Sequence, residues 1–383
     1  MPILLGLFIA HRWGLEELAA YTLANASIAI ALIAVDWGAQ RALPRNLATL
    51  TPQGAQRLFG SANAFRLLLV AALFAIGALA VLTGGVDRGV GLYLLLLAPL
   101  CLLILVTGNA IGERVVAGDT RAIGLALVSG LTVFAILGGI VLAMKLGPHW
   151  FVAAYVCGKA VEAIVIVAGR WWVLTVHSEH MIPTAIAFWP FAAQAVLSVI
   201  YSRLAVFTVE NFTTRAELGL FSFAVALQGA FLLVPGSLAL VYFPDLTRRT
   251  AAGDYSGIRA IVRRYTIVSG LGILIGIGVL ALAIRPMSAM FELPPGGDRF
   301  ILAFVSVAIL SVFSTMLGFR VQAGGHEGKA ARLSVVTLLF AAAYQVIALS
   351  WFGLWGVIAA VAASDLTSIA LFAYALKKTR PSE

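Results

Sequence analysis

Charge is what this sequence has least of. Lys, Arg, Asp and Glu together make up 11% of its 383 residues, against roughly 25% in ordinary soluble domains. That scarcity excludes a soluble enzyme and a charged, disordered chain. Cysteine is nearly absent too: Cys101 and Cys157 fall singly in hydrophobic stretches, which supports neither a disulfide framework nor a metal site. His11, His149, His177, His180 and His326 are scattered without paired-ligand spacing. Long polar connections are missing as well, so there is no room for a folded domain outside the apolar segments. What is present is 61% hydrophobic residue at a mean hydropathy of +1.00. It falls in runs near the ~20 residues a helix needs to cross a bilayer.

Those runs predict an all-α polytopic membrane protein of about 12 spans, the first partial. They cover about 2–10, 18–39, 64–83, 90–110, 122–144, 150–169, 183–209, 217–240, 265–284, 300–319, 331–350 and 353–376. With a cytoplasmic amino terminus, the cytoplasmic connections and tail hold eighteen Lys and Arg, among them Arg41, Arg45, Arg57, Arg66, Arg114 and Lys377. The opposite side has six: Arg12, Arg88, Lys145, Arg215, Arg285 and Arg299. Eighteen against six places both termini in the cytoplasm by the positive-inside rule. The net charge of +9 then needs no nucleic acid to explain it.

The chain repeats itself. Glu17-Leu18-Ala19-Ala20-Tyr21 matches Glu217-Leu218-Gly219-Leu220-Phe221, and Pro44 falls on Pro244, both at an offset of 200. Gly112-Glu113-Arg114 matches Gly318-Phe319-Arg320, and Gly147 matches Gly353, at 206. Loop residues repeated at one spacing are the signature of a duplicated unit. Six spans per half make the repeat parallel, with its axis along the membrane normal, an arrangement in which transporters place their substrate site between the halves. The expected division is 1–175, a six-helix bundle, and 176–383, a second bundle with a short cytoplasmic tail. The repeat also predicts that the span paired with the one near Pro183 starts about 17 residues before Met1. We therefore expect a further amino-terminal segment of roughly 17 to 25 residues, since the visible first run is too short to cross a bilayer.

Several stretches resemble a known family. Arg12-Trp13-Gly14-Leu15-Glu16-Glu17-Leu18-Ala19-Ala20-Tyr21 is similar to the "R-x-x-G-P-E-x-F-G-x-Y" entry to the second helix of polysaccharide (O-antigen and exopolysaccharide) flippases. These belong to the superfamily that also holds multidrug and toxin extrusion transporters. Asp36-Trp37-Gly38 with Arg41 and Arg45 resembles the family's "D-x-G…R" helix end. Tyr201-Ser202-Arg203, Glu217 to Phe221 and Phe243-Pro244-Asp245-Leu246 resemble the matching part of the second half. The family often carries an acidic residue two positions after the arginine of the seventh helix; here Ala205 stands there.

The resemblance implies a bacterial inner-membrane flippase that carries polyprenyl-pyrophosphate-linked oligosaccharide from the inner to the outer leaflet. It implies membrane lipids, a polysaccharide polymerase and glycosyltransferases as partners, with no nucleic acid, cofactor, metal or catalytic residue. Arg203 and Arg45 would hold the anionic headgroup. Two other readings stay open: a cation-coupled multidrug exporter of the same fold, and a non-transporting membrane scaffold for glycan assembly.

A charged side chain near mid-bilayer costs about 2.5–3.5 kcal/mol on insertion scales, so each one asks for a role. Arg203 either faces a cavity and pairs with pyrophosphate, or snorkels or pairs with Glu210. Asp36 either binds substrate or a coupling ion, or locks a helix end through Arg41 or Arg45. Lys159 and Glu162 share a helix face three residues apart, and Lys159 falls on Asp365 at the 206 offset. They form either a local pair or, with Asp365, a relay. Pro235-Gly236 and Trp189-Pro190 can kink their helices, while Gly270, Gly272, Gly276 and Gly278 permit close helix packing. Gly324-Gly325-His326-Glu327-Gly328-Lys329 lacks the first glycine and the final Ser/Thr of a phosphate loop. The basic stretch Arg259 to Arg264 suits anionic lipid headgroups.

Overall fold

The computed structural model describes residues 2–47, 50–324 and 327–378. His326 and Arg380 lie outside the described residues, as do the side chains of Arg41, Pro44, Arg45, Pro190 and Pro244. The chain folds into α1 (Pro2–Trp13), α2 (Leu15–Asp36), α3 (Ala39–Leu47), α4 (Pro52–Leu82), α5 (Arg88–Leu97), α6 (Leu100–Val116), α7 (Thr120–Ala143) and α8 (Pro148–Val167). After a 3-10 turn at Trp171–Leu174 come α9 (Met181–Phe212), α10 (Arg215–Ala251), α11 (Tyr255–Met290), α12 (Gly297–Ser306), α13 (Ala308–Ala323), α14 (Glu327–Phe352) and α15 (Gly356–Lys378). Ten helical segments among the described residues are long and apolar enough to cross a membrane. The last of them, Gly328–Lys377, is folded into α14 and α15, which makes eleven. The twelve residues of α1 rise only about 18 Å.

Local chemistry sets the helix starts. Thr51 caps α4, with Pro52 in the first turn where its missing N–H costs nothing. Thr214 and Glu217 form a reciprocal capping box at α10, so the repeated Glu of the Glu-Leu motif marks a helix entry. Asp254 caps α11. The Gly257 N–H, the Ser256 hydroxyl and the Arg249 guanidinium all bind its carboxylate and hold its pKa down at about 2. Two spans are broken rather than continuous. Pro99 separates α5 from α6, because a proline cannot donate into the helical ladder, and Val307 separates α12 from α13. The breaks lie 208 residues apart, close to the 206 offset of the repeated loops, so the duplication is written in the backbone as well.

By contacts the chain forms two compact units. One is Ala20–Ile200; the other joins Met1–Ala19 to Tyr201–Glu383. The Ala20–Ile200 unit packs around Ala42, Leu43, Phe59, Val173 and Phe188. Its α7–α8 hairpin closes on glycine: a Cβ built on Gly158 would sit 2.7 Å from the Gly130 carbonyl, and one on Gly130 would sit 2.8 Å from the Gly158 carbonyl. The split unit packs around Leu246, Tyr265, Ile273, Val312 and Met316. Its α14–α15 hairpin reverses at Gly353, where φ is +55°. In the same unit Gly219 lies against the Leu15 carbonyl, so the two copies of the repeated helix entry touch each other.

The expected glycine packing in α11 holds at one position of the four. Gly276 meets the Phe231 ring, whereas an added methyl at Gly270, Gly272 or Gly278 meets nothing within 4 Å. Gly272 instead borders an apolar cavity of about 300 Å³ with Phe231, Val234, Pro235 and Ser269. These contacts separate packing glycines from incidental ones. Gly158→Ala should destabilise the protein by about 2–3 kcal/mol through overpacking. Gly270→Ala should be neutral or stabilising by up to about 1 kcal/mol. Thermal unfolding of the two variants in detergent measures the difference.

Candidate functional site

The Ala20–Ile200 unit buries a guanidinium. Arg66 of α4 is 1% exposed, although the sequence placed it in a cytoplasmic connection; α4 starts at Pro52 and carries it inside. Its Nε donates to the Val35 carbonyl at 2.9 Å and its Nη1 to Asn109 Oδ1 at 2.7 Å. Nη2 lies 3.6 Å from Asp36 Oδ1, an ion-pair distance rather than a hydrogen bond. Asn109 Nδ2 then donates to Asn63 Oδ1 at 2.6 Å, and Asn63 Nδ2 donates to the carbonyls of Val173 and Thr175 at 2.9 and 2.8 Å. Asp36, Asn63 and Asn109 are all buried. Gly108 faces the ion pair, so α6 can approach it without a side chain in the way.

Asp36 therefore meets Arg66, thirty residues on; the expected pairing with Arg41 or Arg45 falls on side chains outside the described residues. The backbone of Arg45 lies in α3, and its side chain is outside the described residues. The rest of the Asp36-Trp37-Gly38 motif grips α9. Trp37, at φ +48°, donates its indole N–H to the Ala185 carbonyl at 3.0 Å and packs on Phe65 and Trp189. Gly38, at φ +73°, brings the turn so close that a Cβ there would sit 2.6 Å from the Ala192 nitrogen. At the same end Arg114 holds the last carbonyls of α8 at Ile166 and Ala168, at 2.8 and 2.9 Å, and pairs with Asp119 at 2.6 Å. The Ala122 N–H and Arg114 together lower the Asp119 carboxyl pKa.

The split unit holds a different kind of cluster. Asp365 of α15 is 5% exposed, about nine residues or ~14 Å along its helix. The Ser311 hydroxyl donates to it at 2.6 Å and the Tyr201 hydroxyl at 3.4 Å. Ser314 bonds Ser368 at 2.8 Å one turn away, and Thr208 donates to Gln345 at 3.0 Å. Arg203, half-buried on α9, is two residues from Tyr201. Lys159 and Glu162 form a local ion pair of 2.7 Å on α8, in the unit that does not contain Asp365. No group of three His, Cys, Asp or Glu among the described residues is placed to hold a metal.

Among solved structures, an inward-facing multidrug resistance MATE transporter of the MOP superfamily superposes with a TM-score of 0.80 at 16% identity, over 99% of this chain and 95% of that one. The chain shares the fold of that transporter over nearly its whole length. The lipid II flippase MurJ, inward closed, matches with a TM-score of 0.77 at 13% identity, over 98% of this chain and 85% of its own. The MATE transporter VcmN of Vibrio cholerae matches at 0.65 and 15%, over 99% and 95%. No family model and no curated protein matches the sequence.

The Arg66 network was missed in the sequence, though Asn63 and Arg66, three apart at the edge of an apolar run, were its signal. Removing one member of a buried pair leaves the other charge uncompensated, at about 3–5 kcal/mol. Asp36→Asn and Arg66→Met should each lower the unfolding midpoint sharply, and the double variant should lose less than the sum of the two. Thermal unfolding of all three against wild type gives the coupling.

Proposed function

We propose that this chain is a transporter of the inner membrane that moves a polyprenyl-pyrophosphate-linked oligosaccharide to the outer leaflet by alternating access. The halves 1–175 and 176–383 are its moving elements, and both termini are cytoplasmic. The observation that carries the reading is the fold, shared over nearly the whole chain with multidrug transporters and with a lipid-linked cargo flippase. The cargo is argued from the helix-entry motifs and from Arg203, a cation within a span, since a guanidinium matches phosphate oxygens in bidentate fashion. A polymerase and glycosyltransferases are the partners such a cargo requires.

A second reading, cation-coupled export of drugs, is favoured by one observation. Asp365 is a buried carboxylate whose described donors, Ser311 and Tyr201, are both neutral. A carboxylate so held can take up and release a proton or a cation. In the flippase reading the same residue serves coupling.

Transport in liposomes by the purified protein separates the two. Lipid-pyrophosphate-linked oligosaccharide should move in wild type, fall about tenfold or more in Arg203→Ala, and lose its dependence on an imposed ion gradient in Asp365→Asn. Efflux of a cationic dye without movement of the lipid-linked sugar would replace the flippase by the exporter.

A further inference from the structure

The segment that leads into α9 is strapped along α4. Besides the two bonds from Asn63, the Thr175 hydroxyl donates to the Gln56 carbonyl at 3.3 Å and the His177 N–H donates to the Gly60 carbonyl at 3.0 Å. The Ser61 hydroxyl donates to the Glu179 carbonyl at 2.5 Å. Gly60 is required here, because the His177 ring lies where its side chain would be. Gly60, Ser61 and Asn63 of α4 thus hold this irregular backbone in register.

Strap and helix border an open pocket of about 410 Å³ lined by Arg57, Ser61, His177, Ser178, Glu179 and His180, a size usual for small-ligand sites. The Arg57 guanidinium is exposed and makes no ion pair among the described residues. Neither imidazole has a side-chain hydrogen-bond partner there. The pocket also adjoins the start of α9 at Met181, where the Met181 and Thr184 N–H groups already bond the Ser178 and His180 carbonyls and Pro183 has none, so what this helix end offers an anion is its dipole. Glu179 is the opposing charge on the rim. Arg57 is five residues into α4, ~8 Å from its start, on the side that the arginine count assigns to the cytoplasm.

We propose that this pocket is a phosphoryl-anion site that takes the phosphate or pyrophosphate headgroup of a lipid at the cytoplasmic face. The inference rests on the flippase reading only for the identity of that lipid, which is the cargo or an anionic phospholipid. Arg57 supplies the charge-assisted bonds, His177 and His180 close the site, and Glu179 limits affinity so that the headgroup can leave.

The test uses the full chain in nanodiscs of neutral phosphatidylcholine, titrated calorimetrically with inorganic pyrophosphate. Arg57→Gln should weaken binding about tenfold or more, the His177→Gln/His180→Gln pair should weaken it severalfold, and Glu179→Gln should tighten it. Arg263→Gln, on the basic face of α11, serves as the control and should bind as wild type. Competition by undecaprenyl pyrophosphate in the nanodisc supports a cargo-docking site; competition by phosphatidic acid alone supports a phospholipid site. Pyrophosphate that fails to bind wild type, or binds every pocket variant equally, overturns the proposal. Transport is measured separately, so lost transport with intact pyrophosphate binding counts against the cargo reading and not against this site.

Discussion

A guanidinium placed inside an apolar slab has to find every partner within the protein, and Arg66 organises one end of the Ala20–Ile200 unit by that demand. Its partners come from the end of α2, through the Val35 carbonyl and Asp36, and from α6, through Asn109. Asn109 in turn is satisfied by Asn63, and Asn63 holds the carbonyls of Val173 and Thr175. One buried charge thereby fixes the junction of two helices with α4 and with the segment that follows α8. Lysine would not serve: a point charge offers no planar fork to divide between a carbonyl, an amide and a carboxylate. The connection into α9 follows a similar logic, since side chains and carbonyls of α4 hold its irregular backbone at Val173, Thr175, His177 and Glu179.

Two of the buried carboxylates, Asp36 and Asp365, show how a structural charge differs from one available for chemistry. Asp36 faces a cation, Arg66, and the pair ties the end of α2 to α4. Asp365 is held by hydroxyls, and hydroxyls serve both protonation states because each can donate or accept. A change of charge at Asp365 can therefore be absorbed by reorienting Ser311 and Tyr201, with no neighbour left uncompensated. Lys159 and Glu162 belong to the first kind, since each is the other's partner.

The spans, their order and the duplication were legible because each rests on a local property: twenty apolar residues, a loop glycine, a proline that cannot donate. The break at Pro99 has that kind of signal; its counterpart at Val307 has none in its own residues. Pairings between distant spans were not legible. Nothing near Asp36 in sequence points to Arg66, which was counted with a cytoplasmic connection although it stands two residues into the run expected from 64. Helices in fact run past their apolar stretches, α4 by about a dozen residues, so a charge just outside a hydrophobic run is often inside the protein. Taking Arg66 out of the cytoplasmic count leaves seventeen against six, and the charge asymmetry stands.

A fold shared with a multidrug transporter and a lipid II flippase does not choose between the two proposed readings, so the choice has to come from charge. The membrane potential makes this choice energetically unequal. Moving one elementary charge across 100 mV is worth about 2.3 kcal/mol, and the cell interior is negative. An anionic pyrophosphate leaving the inner leaflet runs with that field, so a cation such as Arg203 need only bind it and let go, and a coupled ion is an addition. A cationic drug leaves against the field, and each turnover then needs a second ion moving inward through a group that changes charge. In that case Asp365, a buried carboxylate held by neutral hydroxyls, would be indispensable. The two readings thus assign the same pair of residues opposite ranks: cargo binding depends on Arg203 in one, and the energetics depend on Asp365 in the other.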